Sequence, residues 1–352
     1  MQKALRVGSY ESGAMNQGWT YCDRIESFAA GKTVLAYYTE RYIHSSQADW
    51  QARIVQEQVL LNGQPIQPQT VLRSGDRLSY HRLPWQEAKV PLDFEVVYED
   101  AHLLVVDKPS GLPVLPSGGF VEHTLLHQLK LRYSSDQLVP VHRLGRGTSG
   151  AVLIARTSAA RAHLSKQFRR RSQVQSEQIQ LNQADVCQRQ VFGWSDDSRM
   201  LKKVYRALVG PTTAEELSDR FICTDSIGKL PHNQIGYVYG YSPGGLFARS
   251  DCRVLQRRLS STLLSVSIST GRPHQIRIHL ATAGYPLLGD PLYPPGGVPA
   301  IDTAARPGDV GYFLHAHQLG FVHPETKRFM TVTVQPPDRL RVFDSSARCI
   351  GD

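Results

Sequence analysis

Three polar clusters hold the residue types that could do chemistry. The first is His142-Arg143-Leu144-Gly145-Arg146-Gly147-Thr148-Ser149-Gly150, set between two apolar runs. Its glycines permit backbone conformations and a close ligand approach that side chains would block, and its two arginines can hold phosphates or stack on a base. The string reads as a substrate loop, although it lacks the Lys-Ser/Thr ending of a phosphate loop. The second is Thr270-Gly271-Arg272-Pro273-His274-Gln275-Ile276-Arg277-Ile278-His279-Leu280. Pro273 suits the first turn of a helix whose buried stripe would be Ile276, Leu280 and Ala283. Arg277 lies beside that stripe, so its guanidinium would be partly desolvated and would need an anionic partner, either inside the fold or on a substrate. His274 and His279 stand five apart with no Glu beside the first, so the helical zinc pattern is not met. The third cluster, Lys203-Val204-Tyr205-Arg206-Ala207-Leu208-Val209-Gly210, puts Tyr205 on a strand amid positive charge. Such a tyrosine either stacks on a base, a contact worth about 1 to 3 kcal/mol, or belongs to the core.

These clusters need a scaffold, and the chain is long enough to build one. At 352 residues it predicts two compact units, or one large unit with an appendage. A hydrophobic share of 41% and a charged share of 20% exclude disorder over most of the length. No run approaches the roughly 18 apolar residues that span a bilayer, and MQKALRVGSYESG has no apolar signal core, so a cytoplasmic location is expected. Cys22, Cys187, Cys223, Cys252 and Cys349 are scattered without a C-x-x-C pair and read as reduced thiols.

Residues 1–30, rich in Gly, Ser, Gln and Asn, read as a flexible tail. Residues 31–85 then give two short amphipathic helices, the second opened by a Ser/Asp cap, followed by a hairpin at Asn62-Gly63 and a strand ending at Pro84. Such a module is too small for its own active site but adequate for gripping RNA. After a polar linker at 86–93, strands EVVYE and HLLVVD, helix HTLLHQLKLRY, helix SAARAHLSKQFRRRS and a series of later strands predict an α+β catalytic domain. FLHAHQLGFVHPETKRFMTVTVQPP is expected to supply a short helical turn and the terminal strands. The Gln-heavy stretch 172–199 reads as an inserted loop.

The formal charge is +9, and the excess concentrates between Gln137 and Ser176, where Arg143, Arg146, Arg156, Arg161, Lys166, Arg169, Arg170 and Arg171 stand without an Asp or Glu. Such a patch suits a polyanion; a basic helix face that merely keeps the protein in solution is the alternative.

In chain order, DKPSGL (107–112), HRLGRGTSG (142–150), KKVYRALVG (202–210), TGRPHQIRIHLATAGYPLLGDPLY (270–293) and LHAHQLGFVHPET (314–326) resemble the RNA pseudouridine synthases that modify ribosomal and transfer RNA. WQARIVQEQVLLNGQPIQPQTVLRSGDRL resembles the small RNA-binding domain first known from a ribosomal small-subunit protein. The resemblance implies a catalytic domain over 91–345 with a central mixed, mainly antiparallel sheet. It also implies an isomerase that turns uridine into pseudouridine without cofactor or metal, with RNA as partner, no membrane or DNA contact, and a monomeric state. It implies that Tyr205 stacks on the target uracil, that Arg277 is the arginine that pairs with the family's aspartate, and that Asp107, Lys108 and Asp290 are structural. RNA contacts are expected from His142, Arg143, Arg146, Thr148, Arg169, Arg170, Arg171, Arg272, His274 and Gln275. The family's pattern H-R-L-D-x-x-T-S-G carries its key aspartate, proposed as a nucleophile, where this chain has Gly145. Two readings follow: an active synthase that manages without that carboxylate, or a silent relative acting as an RNA-binding or ribosome-assembly factor. If Gly145 leaves Arg277 without its family partner, Asp107, Asp290, a substrate phosphate or a bound ion must compensate. A metal-dependent hydrolase built on the 13 histidines has no ligand spacing to support it.

Overall fold

The structure of the protein, a computed structural model, describes residues 15–169, 201–211, 217–232, 235–299 and 304–343. The stretch expected as an inserted loop, 172–199, lies outside the described residues, as do Arg170, Arg171, Cys187 and Cys349. The chain divides into two compact units, one of residues up to Lys89 with Pro231–Val238, the other of Val90–Leu230 with Tyr239 onward. Among the described residues no helix is long and apolar enough to cross a membrane.

The smaller unit packs helices α1 (Val34–Arg41) and α2 (Gln47–Val55) on a sheet of β1 (Trp19–Arg24), β2 (Val59–Leu61), β3 (Gln64–Pro65) and β4 (Arg77–Arg82), in the order β1-β4-β2-β3. Thr33 caps α1 by accepting from the Ala36 N–H at 3.2 Å. Ser46 and Asp49 form a reciprocal capping box at the start of α2. Asn62 and Gly63 take φ of 53° and 83°, as the two-residue hairpin turn requires. Trp50, Tyr38, Ile54, Val59 and Leu78 make the core. The expected flexible tail is corrected over 19–24: this segment is β1, paired along its length with β4. Its polar neighbours hide the alternation of Trp19 and Tyr21, and Tyr21 stacks on Tyr80 with ring centroids 5.9 Å apart.

The larger unit is built on a ten-stranded mixed sheet, and the fold is α+β. Its strands are β5 (Glu95–Glu99), β6 (Leu103–Lys108), β7 (Val139–Pro140), β8 (Ser149–Ala155), β9 (Lys202–Val209), β10 (Arg220–Cys223), β13 (Ser250–Arg257), β14 (Thr262–Ile268), β15 (Leu314–Val322) and β16 (Phe329–Thr333). Between β10 and β13 lies a separate hairpin of β11 (Ile227–His232) and β12 (Gly236–Tyr241). The main order is β10-β13-β14-β9-β15-β8-β6-β5, with β16 on β15 and β7 on β8. Only the β15–β8 pair is parallel. β8 is buried at every residue, which its unbroken apolar run AVLIA demands. Helix α3 (Leu125–Tyr133), a helix at 158–169 (α4) and helix α5 (Gln275–Thr282) complete the unit.

Two expectations about these elements are corrected. Leu314–Val322 is strand throughout, with no helical turn at its start. Helix α5 begins after His274, which takes a left-handed φ of 55°, so Pro273 precedes the helix instead of opening it. Ala283 is the exposed C-cap, not part of a buried stripe; every residue from Gln275 to Ala281 is buried.

Candidate active site

The loop from His142 to Thr148 is fixed from below by the DKPSGL turn. Lys108 is fully buried, and its ammonium spends its three protons on the carbonyls of Pro109 (2.8 Å), Leu112 (2.8 Å) and Arg146 (3.2 Å). The Gly111 N–H also donates to the Arg146 carbonyl at 2.8 Å, and the Ser110 hydroxyl to the Gly147 carbonyl at 2.7 Å. Burial pushes the Lys108 amine down to about 7 against the opposing pull of Asp107. The loop leads into β8, where Gly150 sits at φ 104° and a Cβ would stand 2.3 Å from the Ala316 carbonyl oxygen. Glycine is therefore required at the β8–β15 seam.

Arg277 rises into this region from α5. Its Nε and Nη2 donate to Asp290 Oδ2 and Oδ1, both at 2.7 Å, in a bidentate pair with side chains only 2% and 1% exposed. Nη1 donates to the Pro307 carbonyl at 3.2 Å. Asp290 Oδ1 also accepts from the backbone N–H groups of Leu292 and Tyr293. Of the partners open to Arg277 from sequence, the fold selects Asp290. Burial lowers the Arg277 pKa, but the Asp290 hydrogen bonds together with the electrostatic pull of Tyr312, Asp290 and Tyr293 outweigh it, and the net shift is upward. The guanidinium lies between two rings, with centroids at 4.3 Å for Tyr312 and 4.9 Å for Tyr293.

Gly145 is exposed at the mouth of this arrangement. A Cβ built on it would stand 3.1 Å from the Tyr312 hydroxyl and 3.6 Å from Thr148 Oγ1, and a Cβ on Gly147 would meet the Tyr312 ring at 2.8 Å. Tyr312 thus takes the space that a side chain at 147 would enter and borders the space in front of Gly145, and its hydroxyl lies 3.3 Å from Thr148 Oγ1. Tyr205 points from β9 into the same apolar core as Leu144 and Tyr312. None of the described residues hydrogen-bonds its hydroxyl, and burial pushes that group's pKa upward.

Among the described residues, those expected to touch RNA separate into three sets. Arg143 and Arg169 are exposed and carry no ion pair among the described residues. Arg146 and Arg272 are partly committed. The Arg146 Nε donates to the Gly308 carbonyl at 2.6 Å and its guanidinium lies over Phe120, while the Arg272 Nε donates to the Phe247 carbonyl at 2.9 Å. His142, Thr148, His274 and Gln275 work inside the protein. His142 stacks on Phe168 and accepts from the Leu153 N–H at 3.1 Å, and burial pushes it down to about 3. Gln275 spends its amide on Thr270, Arg272, Arg249 and Ser250. The Tyr293 hydroxyl donates its one proton to the Tyr239 carbonyl at 2.7 Å, so it accepts from His274 Nδ1 at 2.6 Å. His142 and Gln275, both expected to contact RNA, each have hydrogen bonds that close the fold. Tyr312 and Tyr293 escaped the sequence reading. Their signal was their place, one just before the LHAHQ strand and the other ending GDPLY.

Comparison with known proteins bears on the same residues. The chain matches the family described as RNA pseudouridylate synthase over residues 102–178 and 187–282. It is 45% identical over 307 residues to an uncharacterized RNA pseudouridine synthase of Synechocystis, covering 87% of this chain and 95% of that one. It is 37% identical to RNA pseudouridine synthase 5 of Arabidopsis thaliana (87% and 89% covered). It is 30% identical to ribosomal large subunit pseudouridine synthase D of Neisseria meningitidis (87% and 75% covered). The matched span takes in the pinned loop, the Tyr205 strand and the Arg277 helix, and the chain belongs to the RNA pseudouridylate synthase family.

Proposed function

We propose that the chain isomerises uridine to pseudouridine in ribosomal or transfer RNA and does so with no side chain at position 145. The observation that carries this reading is the Arg277–Asp290 pair: the buried guanidinium stays charged and ordered without a carboxylate at 145. On this reading Arg143 meets the RNA backbone, Tyr205 stacks on the everted uracil, and Arg277 supplies fixed positive potential where negative charge develops. The name of the Neisseria relative, which specifies the large ribosomal subunit, supports ribosomal RNA as the substrate. The smaller unit, with its Arg53 guanidinium over Trp50 and its Arg82 over Trp85, serves as an additional RNA grip.

Gly145 also favours a second reading, a silent relative that binds RNA and leaves it unchanged, because glycine offers nothing that attacks or ionises. Chemical mapping of pseudouridine in cells with the gene, without it, and with Gly145→Asp separates the two. A site present with the native gene and absent from the deletion is the expected result. A site formed only with Gly145→Asp, or by neither form, would refute activity of the native chain. The substitution is sterically feasible, since φ at 145 is not left-handed and the new Cβ needs only a small retreat of the Tyr312 hydroxyl.

A further inference from the structure

We infer that Tyr312 is a catalytic residue of the isomerase just proposed, its phenol O–H donating a hydrogen bond to the uracil as the glycosidic bond breaks. The inference rests on that reading of the function. Three independent contacts fix the phenol. Its ring lies flush against the backbone at Gly147, where a Cβ would come within 2.8 Å. Its face covers the Arg277 guanidinium with 4.3 Å between the guanidinium carbon and the ring centroid. Its oxygen sits 3.3 Å from Thr148 Oγ1. Gly145 is bare and exposed, and an atom at the place of its missing Cβ would stand 3.1 Å from that oxygen, with Thr148 Oγ1 as its other neighbour within 4 Å. A substrate oxygen at that place is at hydrogen-bonding distance from the phenol.

The chemistry needs such a donor. When the C1′–N1 bond breaks, its electron pair leaves with the uracil, whose charge spreads onto O2 and O4, and the ribose is left as an oxocarbenium ion. The phenol keeps its proton and donates to one of these oxygens, and the guanidinium against its face strengthens it as a donor. C5 of the same uracil then captures C1′, C5 loses its proton and N1 gains one, so no proton is consumed overall. The Thr148 hydroxyl can donate to the phenol oxygen, which leaves the phenolic proton for the substrate. Glycines at 145 and 147 are on this account the condition for the tyrosine's presence.

The test is tritium release from C5-tritiated ribosomal and transfer RNA isolated from cells lacking the gene. Wild-type protein and Tyr312→Phe are compared, with RNA affinity and melting temperature measured alongside. Tyr312→Phe is expected to lower kcat by about 100-fold or more, as loss of one preorganised donor does, with KM, RNA affinity and melting temperature unchanged. An active wild type whose Tyr312→Phe variant keeps kcat within about threefold, or loses RNA affinity or melting temperature in step with kcat, overturns the role of Tyr312 alone. A wild type that releases no tritium overturns the isomerase reading and this inference with it.

Discussion

The charge at the centre of the site is held by a single carboxylate, and that makes Asp290 a sensitive position. Asp290→Asn would leave Arg277 buried without its counter-charge, which is expected to cost about 3 to 5 kcal/mol of stability, read as a fall in the urea midpoint. Gly145→Asp, at the exposed mouth, is expected to leave that midpoint nearly unchanged. That Arg277 needed an anion was legible in the sequence from the apolar positions around it. Which anion was not, because the pair spans 13 residues through an irregular loop, and sequence spacing gives no direction across a loop. The structural tasks of His142 and Gln275 were hidden for a related reason. Side chains that recognise RNA bases are also the ones that close backbone turns, and only the positions of the Leu153 N–H and the Arg249 carbonyl show which task they perform.

At the scale of elements, the site depends on strand ends more than on its helices. β5 and β6 set Glu95 opposite Asp107. Burial, with Glu95 adding to it and Lys108 opposing, pushes the Asp107 carboxyl up from 3.8 to about 6. Between about pH 4 and 6 the folded chain therefore binds a proton that the unfolded chain releases, and stability falls as pH rises through that window. Asp107→Asn removes the penalty. Thermal melts are expected to show the variant more stable than wild type above about pH 6 and little different near pH 4. Strands, helices and the Asn62-Gly63 turn were legible because alternation, caps and turn residues act locally. The start of α5 was not, since the left-handed His274 reverses the chain between Pro273 and the helix, and nothing in the residue types announces that reversal.

For the molecule as a whole, the basic stretch predicts RNA binding that weakens steeply with salt, and the fold separates exposed cations from paired ones. Arg143, Arg161, Lys166 and Arg169 are exposed without ion pairs among the described residues. Arg156 is tied to Glu99 at 2.7 Å and to the Asp100 carbonyl. Replacing the four free cations by Ala is expected to flatten the log–log salt dependence by roughly 0.7 per lost phosphate contact, whereas Arg156→Ala leaves the slope alone. An equal effect of both changes in a filter-binding titration would remove the distinction between free and committed charges. The parallel seam between β8 and β15 has a consequence for how the protein comes into being. Its two rungs, His315 with Ser149 and Ala316 with Gly150, bring Tyr312 to Thr148 across 164 residues. Closing so long a stretch of chain carries a large entropic penalty and is rewarded only once the intervening strands are in place. During synthesis, the pinned loop and the Tyr205 strand leave the ribosome well before Tyr312, so the contact between Thr148 and Tyr312 forms only late, and on the proposed function a nascent chain can meet RNA before it can act on it.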